Sequence, residues 1–365
     1  MNGRERFLTA LINKKPDRLP CQVHNFMQYY LNTYMNGMDV YEAYDYVGMD
    51  PVIYEVPRLI YDEKDLKNWR YEYKSYRDEK EDIEIFTQIF HTPKGDLTVK
   101  GASNKFTAWN TDHLIKDEKD FEIFKDYYPV AIAADWSPVI KAKNKIGDRG
   151  IVRIANSAYG QPGTWQSLVY MMGMEQAIMK AVDDPDWVHY ALNVICEKNE
   201  RQIYNMGKIE ADLVENGGGA ASSTVISPSM YEEFCLPYDR RIHKAIKDNG
   251  ALIVYHLCGG LMPLLEMVAT NGADALETMT PSSMGGDCVM EEANERIGDK
   301  MCFIGGFDQN EGFERGNKKF IEEEVYRLFK AKNKGGYICS PSDHFFFGDV
   351  ENLIYFTNVC KECRY

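Results

Sequence analysis

The sequence predicts an α/β protein: a single (β/α)8 TIM barrel over residues 1–365, with an antiparallel β insertion at 61–109 after the second strand. Three observations carry that expectation. Short β-branched apolar runs alternate with helical patterns, which implies a parallel sheet. Eight such runs occur, the number that closes a barrel. No glycine-rich phosphate fingerprint follows the first run, which sets aside an open dinucleotide-binding sheet.

Phe7, Leu8, Leu11 and Ile12 mark one helical face over Arg4–Asn13. Pro16–Pro20 ends that helix, and Cys21–Phe26 reads as the first strand. Helices over Met27–Met38 and Val40–Val47 precede the second strand, Val52–Val56. From Tyr61 to Trp109 charged stretches alternate with Ile83–Phe90 and Leu97–Lys100, joined by a hairpin-type turn at Thr92–Asp96. Helices over Asp117–Tyr127 and Trp136–Ile146 lead to strand Ile151–Asn156 and the loop Tyr159–Gly163. Three helices follow, Trp165–Met174, Glu175–Val182 and Pro185–Met206, and then strand Ala211–Glu215. Helix Pro228–Asp248 precedes a strand that runs from Ala251 to His256, and helix Met262–Asn271 follows it. Strand Ala273–Glu277, helix Glu291–Ile297, strand Met301–Gly306, helix Lys318–Ala331 and strand Gly336–Cys339 complete the order.

Composition narrows the function. The net charge is -14, with 56 acidic against 42 basic residues. Such a surface argues against nucleic acid and against anionic membranes, both of which call for Lys and Arg. No apolar run is long enough to span a bilayer, and the polar start at Met1–Arg6 lacks a signal core. Nine cysteines without a disulfide framework suit a reducing cytoplasm. Small-molecule chemistry in the cytoplasm is the expectation.

In barrels that chemistry sits at the carboxyl ends of the strands. Here those ends carry His24, Glu55, Asn156, Glu215, His256 with Cys258, Glu277, and Asp343 with His344. Positions i and i+2 of a strand share a face, so His256 and Cys258 point together and make half of a tetrahedral zinc site. A buried histidine beside a small apolar thiol is the competing reading. Tyr29 and Phe345 could stack on an aromatic substrate at the mouth, or simply fill core. Gly217–Gly219 reads as a flexible loop, and Cys360 with Cys363 as a frayed tail.

Taken together, Arg4–Arg6, Pro16–Pro20, Ile226–Met230, Tyr255–Gly259 and the last strand resemble the uroporphyrinogen decarboxylase superfamily. The resemblance implies a (β/α)8 barrel and one of two activities. The decarboxylases carry arginines after the first strand; here that place reads Phe26–Leu31 and has none. The other branch, zinc-dependent corrinoid methyltransferases, carries His-x-Cys at the fifth strand and a third cysteine past the eighth. His256 and Cys258 match the first part; the third position holds Asp343, with Cys339 four residues earlier. The resemblance therefore implies zinc on His256, Cys258 and Asp343, with Cys339, Glu215 or Glu277 as further ligand candidates. It also implies a small methoxylated methyl donor and a partner protein that carries cobalamin. Glu215, Glu277 and His24 are the candidate catalytic groups, with Asn156, Tyr29, His344 and Phe345 around the substrate. A decarboxylase-type lyase acting on another carboxylated substrate is the alternative, and a homodimer stays open.

Overall fold

The computed structural model describes residues 1–156, 159–160 and 162–365, so Gln161 of the predicted Tyr159–Gly163 loop lies outside the described residues. In chain order the strands are β1 (Val52–Tyr54), β2 (Arg58–Ile60), β3 (Arg70–Asp78), β4 (Ile83–Thr92), β5 (Gly95–Ser103) and β6 (Ala108–Asp112). They continue with β7 (Ala133–Asp135), β8 (Ile151–Ala155), β9 (Leu213–Gly217), β10 (Leu252–His256), β11 (Ala275–Thr278), β12 (Cys302–Phe307) and β13 (Tyr337–Pro341). A curled parallel sheet of seven strands runs β1-β8-β9-β10-β11-β12-β13. The inserted segment folds as a four-stranded antiparallel sheet, β3-β4-β5-β6, and β2 pairs with β7.

The expected eight-stranded barrel is corrected at its first strand. Cys21–Phe26 makes one parallel bridge, Cys21 to Cys339, through the Gln22 amide to the Cys339 carbonyl (3.0 Å) and the Cys339 amide to the Pro20 carbonyl (2.9 Å). Two causes keep it from becoming a strand. Pro20 has no amide to donate. On the other side the buried Tyr44 hydroxyl donates to the Val23 carbonyl (3.3 Å), a position that pairing with β1 would need. Among the described residues the parallel sheet is therefore a curled one of seven strands.

Inward positions of the strands alternate with outward ones. The lower inward set, Val52, Ile151, Leu213, Val254, Ala275, Cys302, Ile304 and Ile338, packs on Phe7, Ala10 and Leu11 of the first helix. That helix, Gly3–Leu11, begins in a capping box: the Glu5 amide donates to Asn2 (2.8 Å) and the Asn2 amide to Glu5 (3.0 Å). Arg6 ties it to Asp17 (2.8 Å) and Asp50 (2.9 Å), Arg18 also reaches Asp50 (3.0 Å), and Arg4 binds Asp212 (2.6 Å). The helix is thus pinned as the floor of the curled sheet.

Other elements depart from expectation locally. The helix predicted over Pro228–Asp248 breaks at Cys235 into Pro228–Phe234 and Leu236–Asp248, because Pro237 in the new first turn cannot continue the ladder. Cys360 and Cys363 are not in a frayed tail. Helix Val350–Glu362, capped by Asp349, buries Leu353, Phe356, Val359 and Cys360, and the Leu19 amide donates to the Cys363 carbonyl (2.9 Å). Among the described residues no helix is long and apolar enough to cross a membrane.

Candidate active site

One step above the floor, the inward positions change character. Tyr54, Arg153, Glu215, His256 and Glu277 each lie two residues beyond a floor residue of the same strand. A strand advances about 6.6 Å in two residues, so hydrocarbon gives way to ions over that distance. Arg153 is completely buried and donates to both oxygens of Glu277 (2.6 and 2.8 Å) and to Glu215 (2.6 Å). The Tyr54 hydroxyl donates to the same Glu215 oxygen (2.7 Å), and its ring lies 4.6 Å from the guanidinium. Burial alone would raise both carboxylates; Arg153 instead holds Glu277 well below its usual range and Glu215 down to about 2. Both are ionised, so neither is a proton donor.

His256 stands at the tip of β10 with Nδ1 2.8 Å from Glu277 Oε1. A carboxylate acceptor puts the proton on Nδ1 and turns Nε2 outward. Burial works against the imidazolium, but Cys258 and Glu277, both within hydrogen-bond reach, and the Glu215 charge raise the pKa of His256 well above its ordinary value. His24 brings its buried Nδ1 to 3.2 Å from Glu277 Oε1, an ion-pair contact without an aligned hydrogen bond. Its ring lies 5.0 Å from that of His256 and 4.8 Å from that of His344. His344 Nδ1 is buried too, without a hydrogen-bond partner among the described residues, and burial, with His24 beside it, pushes the imidazole down to about 4.

The close packing above this layer depends on backbone. A Cβ on Gly219 would sit 2.6 Å from Cys258 Sγ, and one on Gly305 would sit 2.1 Å from the Thr278 carbonyl. Gly217 and Gly218 are buried, so the run read as a flexible loop is packed against the strand tips. Thr278, just past Glu277, has φ of 97°, strained for a β-branched residue, and its hydroxyl donates to the Leu257 carbonyl (2.9 Å).

Ligand atoms of His24, His256 and Glu277 all lie within 4.8 Å of one another. Of the other expected residues, Cys258 lies within hydrogen-bond reach of His256 and Asp343 accepts the His344 amide (2.7 Å); both are outside this group of three. Cys339 is buried in the strand body beside Cys21. Asn156 donates to Asn216 (3.0 Å), which donates to His243 (3.0 Å), on the outward side of the sheet. Phe345 is core, packed on Tyr30 and Phe313, while Tyr29 belongs to an aromatic cluster with Phe106 and Phe347. Arg153 and Tyr54 were absent from the sequence expectation. A lone arginine inside the apolar run Ile151–Ala155 was the available signal, since a buried cation requires carboxylates.

The family pattern described as uroporphyrinogen decarboxylase (URO-D) matches residues 160–363, more than half of the chain. The chain belongs to the uroporphyrinogen decarboxylase family. Among its curated relatives, uroporphyrinogen decarboxylase 2 of Oryza sativa is 27% identical over 194 residues, 51% of this chain and 45% of the relative. Its counterpart in Arabidopsis thaliana is 31% identical over 147 residues, 39% and 35% of the two chains. The chain thus spans about half the length, or less, of these relatives. A solved methyltransferase from Methanosarcina mazei shares the fold across 99% of both chains, with a TM-score of 0.66 at 13% identity.

Proposed function

We propose that this member of the uroporphyrinogen decarboxylase family is a zinc-dependent methyltransferase that moves a methyl group from a small methoxylated, aromatic donor to the cobalt of a corrinoid protein. The observation that carries the reading is the convergence of His24 and His256 on Glu277 above a neutralised ionic layer. The fold shared with the Methanosarcina methyltransferase supports it. A decarboxylase acting on a carboxylated substrate would need a cation for its substrate. The buried guanidinium already serves two carboxylates, and the helix after the first segment, Gln28–Tyr34, contains no arginine.

The donor set suits a metal: two imidazoles that meet one carboxylate, a buried nitrogen on His24 without an aligned hydrogen bond, and a thiol beside His256. His24, His256 and Cys258 would hold the ion, with Glu277 behind His256; His24 replaces Asp343 in this assignment. When bound, zinc supplies Lewis acidity to the ether oxygen. Glu277 keeps His256 in one tautomer, and Arg153 keeps Glu277 charged and fixed. Tyr54 fixes Glu215 in turn. Glu215 and Glu277 are therefore positioning residues. The proton for the departing oxygen comes from solvent water. In the transfer the carbon–oxygen bond breaks toward oxygen, the methyl group bonds to cobalt(I), and the oxygen takes the proton. The corrinoid is a second substrate, carried by a partner protein.

The test is direct. Protein purified without chelator should hold zinc, and with cob(I)alamin and methoxybenzenes it should give the spectral change from cobalt(I) to methyl-cobalt(III). Carbon dioxide release from a carboxylated substrate, with no methyl transfer from any donor, would replace this reading with a decarboxylase-type lyase acting on a substrate other than uroporphyrinogen.

A further inference from the structure

The inserted sheet sends one turn over the barrel mouth. Between β5 and β6, Asn104 accepts the amides of Phe106 (2.9 Å) and Thr107 (3.0 Å), and its own amide donates to the Thr107 carbonyl (2.9 Å). An Asx turn of this kind fixes its tip residues before any ligand arrives. The tip holds Lys105 and Phe106. The Phe106 ring lies 4.7 Å from Tyr29, 5.3 Å from Phe346 and 5.6 Å from Phe347. Tyr29 follows shortly after His24, and Phe346 and Phe347 follow His344, so these rings rise directly from the segments that carry the imidazoles. The Phe347 side is open to solvent at 42% exposure.

Lys105 adds charge to this wall. Its ammonium lies 5.2 Å from the Tyr29 ring and 5.0 Å from the Phe106 ring, and it has no carboxylate partner among the described residues. In the same inserted region Lys67, Lys74 and Lys94 each have one, on Glu63, Glu72 and Asp126. In a chain of net charge -14 an anion is repelled at long range, so a local unpaired cation is what can favour one.

We infer that the turn Asn104–Thr107 is the specificity element of the mouth, and that the donor it selects is an aromatic ring bearing an anionic group, of the methoxybenzoate class. Phe106, Tyr29 and Phe347 stack on the ring, and Lys105 meets the carboxylate. The methoxy group in this statement rests on the methyl-transfer reading above; recognition of an aromatic anion does not.

The experiment compares binding of 4-methoxybenzoate and methoxybenzene by calorimetry, with methyl transfer to cob(I)alamin measured separately. Wild-type protein should bind the anion about fivefold tighter, the size of one partly exposed charge pair. Lys105→Gln should bring the ratio of the two affinities to near one, and Lys105→Arg should retain it. Phe106→Ala should weaken both ligands roughly tenfold, as loss of a stacked ring does. Equal affinities in the wild type, or a ratio that Lys105→Gln leaves unchanged, would overturn the inference. Selective binding without methyl transfer would sink the methyl-transfer reading and keep this one. Transfer from methoxybenzene with no preference for the anion would do the reverse.

Discussion

The two faces of β10 carry buried carboxylates of opposite behaviour. Inward, His256 meets Glu277, whose oxygens lie on Arg153. Outward, the adjacent Tyr255 donates to Asp239 (2.6 Å), which is just as buried and has no cation beside it among the described residues. Arg153 holds the inner pair, Glu215 and Glu277, low. Burial pushes Asp239 up to about 7, against the hydrogen bonds from Tyr255 and Asn216. Depth is common to both; the partner decides the sign. The inner face is thereby committed to fixed charge, which can orient ligands, while the outer face changes its charge near neutrality.

Removing the inner cation should have the largest effect. Arg153→Met leaves two carboxylates buried without compensation, and urea unfolding should show a loss of about 3–5 kcal/mol. The triple variant that adds Glu215→Gln and Glu277→Gln should recover most of it. If the triple variant is no more stable than the single one, the pair is not what the arginine serves.

Glu277→Gln alone keeps the shape and removes the charge behind His256. Zinc affinity by competitive titration should fall roughly 10–100-fold, the range for a carboxylate that orients a ligating histidine. Asp343→Ala should leave it near the wild-type value. The opposite pattern would return Asp343 to the ligand set.

The outer face is tested by pH. Asp239 has a folded pKa of about 7 against about 3.9 when unfolded. Between these values the folded chain holds a proton that the unfolded chain has released, so stability falls as pH rises from 4 to 7, by about 1.4 kcal/mol per unit at the steepest. Burial lowers His243 to about 4, and it contributes the reverse slope between 4 and 6.5. Glu215 and Glu277, lowered, contribute stability that is present above about pH 4 and lost toward acid. Asp239→Asn should remove only the falling component, so the two curves should lie closest in acid and separate as pH rises from 4 to 7, with wild type losing the more. Parallel curves would show that Asp239 is ionised throughout.

The smallest effect belongs to the neutral bond at the seam. Tyr44→Phe deletes one hydroxyl-to-carbonyl hydrogen bond and should lower stability by about 1 kcal/mol, with zinc affinity unchanged. A loss as large as that for Arg153→Met would mean that the seam, not the ionic layer, is the weak point.

Periodicity made most of the fold legible. Helices Val40–Val47 and Lys318–Ala331 occur as their apolar spacing predicts, and the seven ladder strands lie where apolar runs were read. What failed was set by tertiary contacts. Nothing local in Cys21–Phe26 says that Tyr44 will take the Val23 carbonyl. The last helix was hidden because Cys360 and Cys363 drew the reading toward a tail, although Leu353, Phe356 and Val359 mark a buried face. At the site, the strand tips drew notice to His256, Glu215 and Glu277. Tyr54 ends β1 and Arg153 lies in the middle of β8, and only register places them in the same layer.

The seam has a consequence for how the chain reaches its final form. Its bonds join Pro20 and Gln22 to Cys339, Leu19 to Cys363 and Arg18 to Arg364, segments nearly a whole chain apart. Loop closure makes such contacts the last to form. Until then the sheet is an open trough, and water can reach Arg153, Glu215 and Glu277 from the unclosed side. The desolvation of three charges is therefore deferred to a single late step, when the carboxylates already lie beside their arginine. Pulse-labelled hydrogen exchange should find the amides of Gln22 and Cys339 protected after those of β9 and β10.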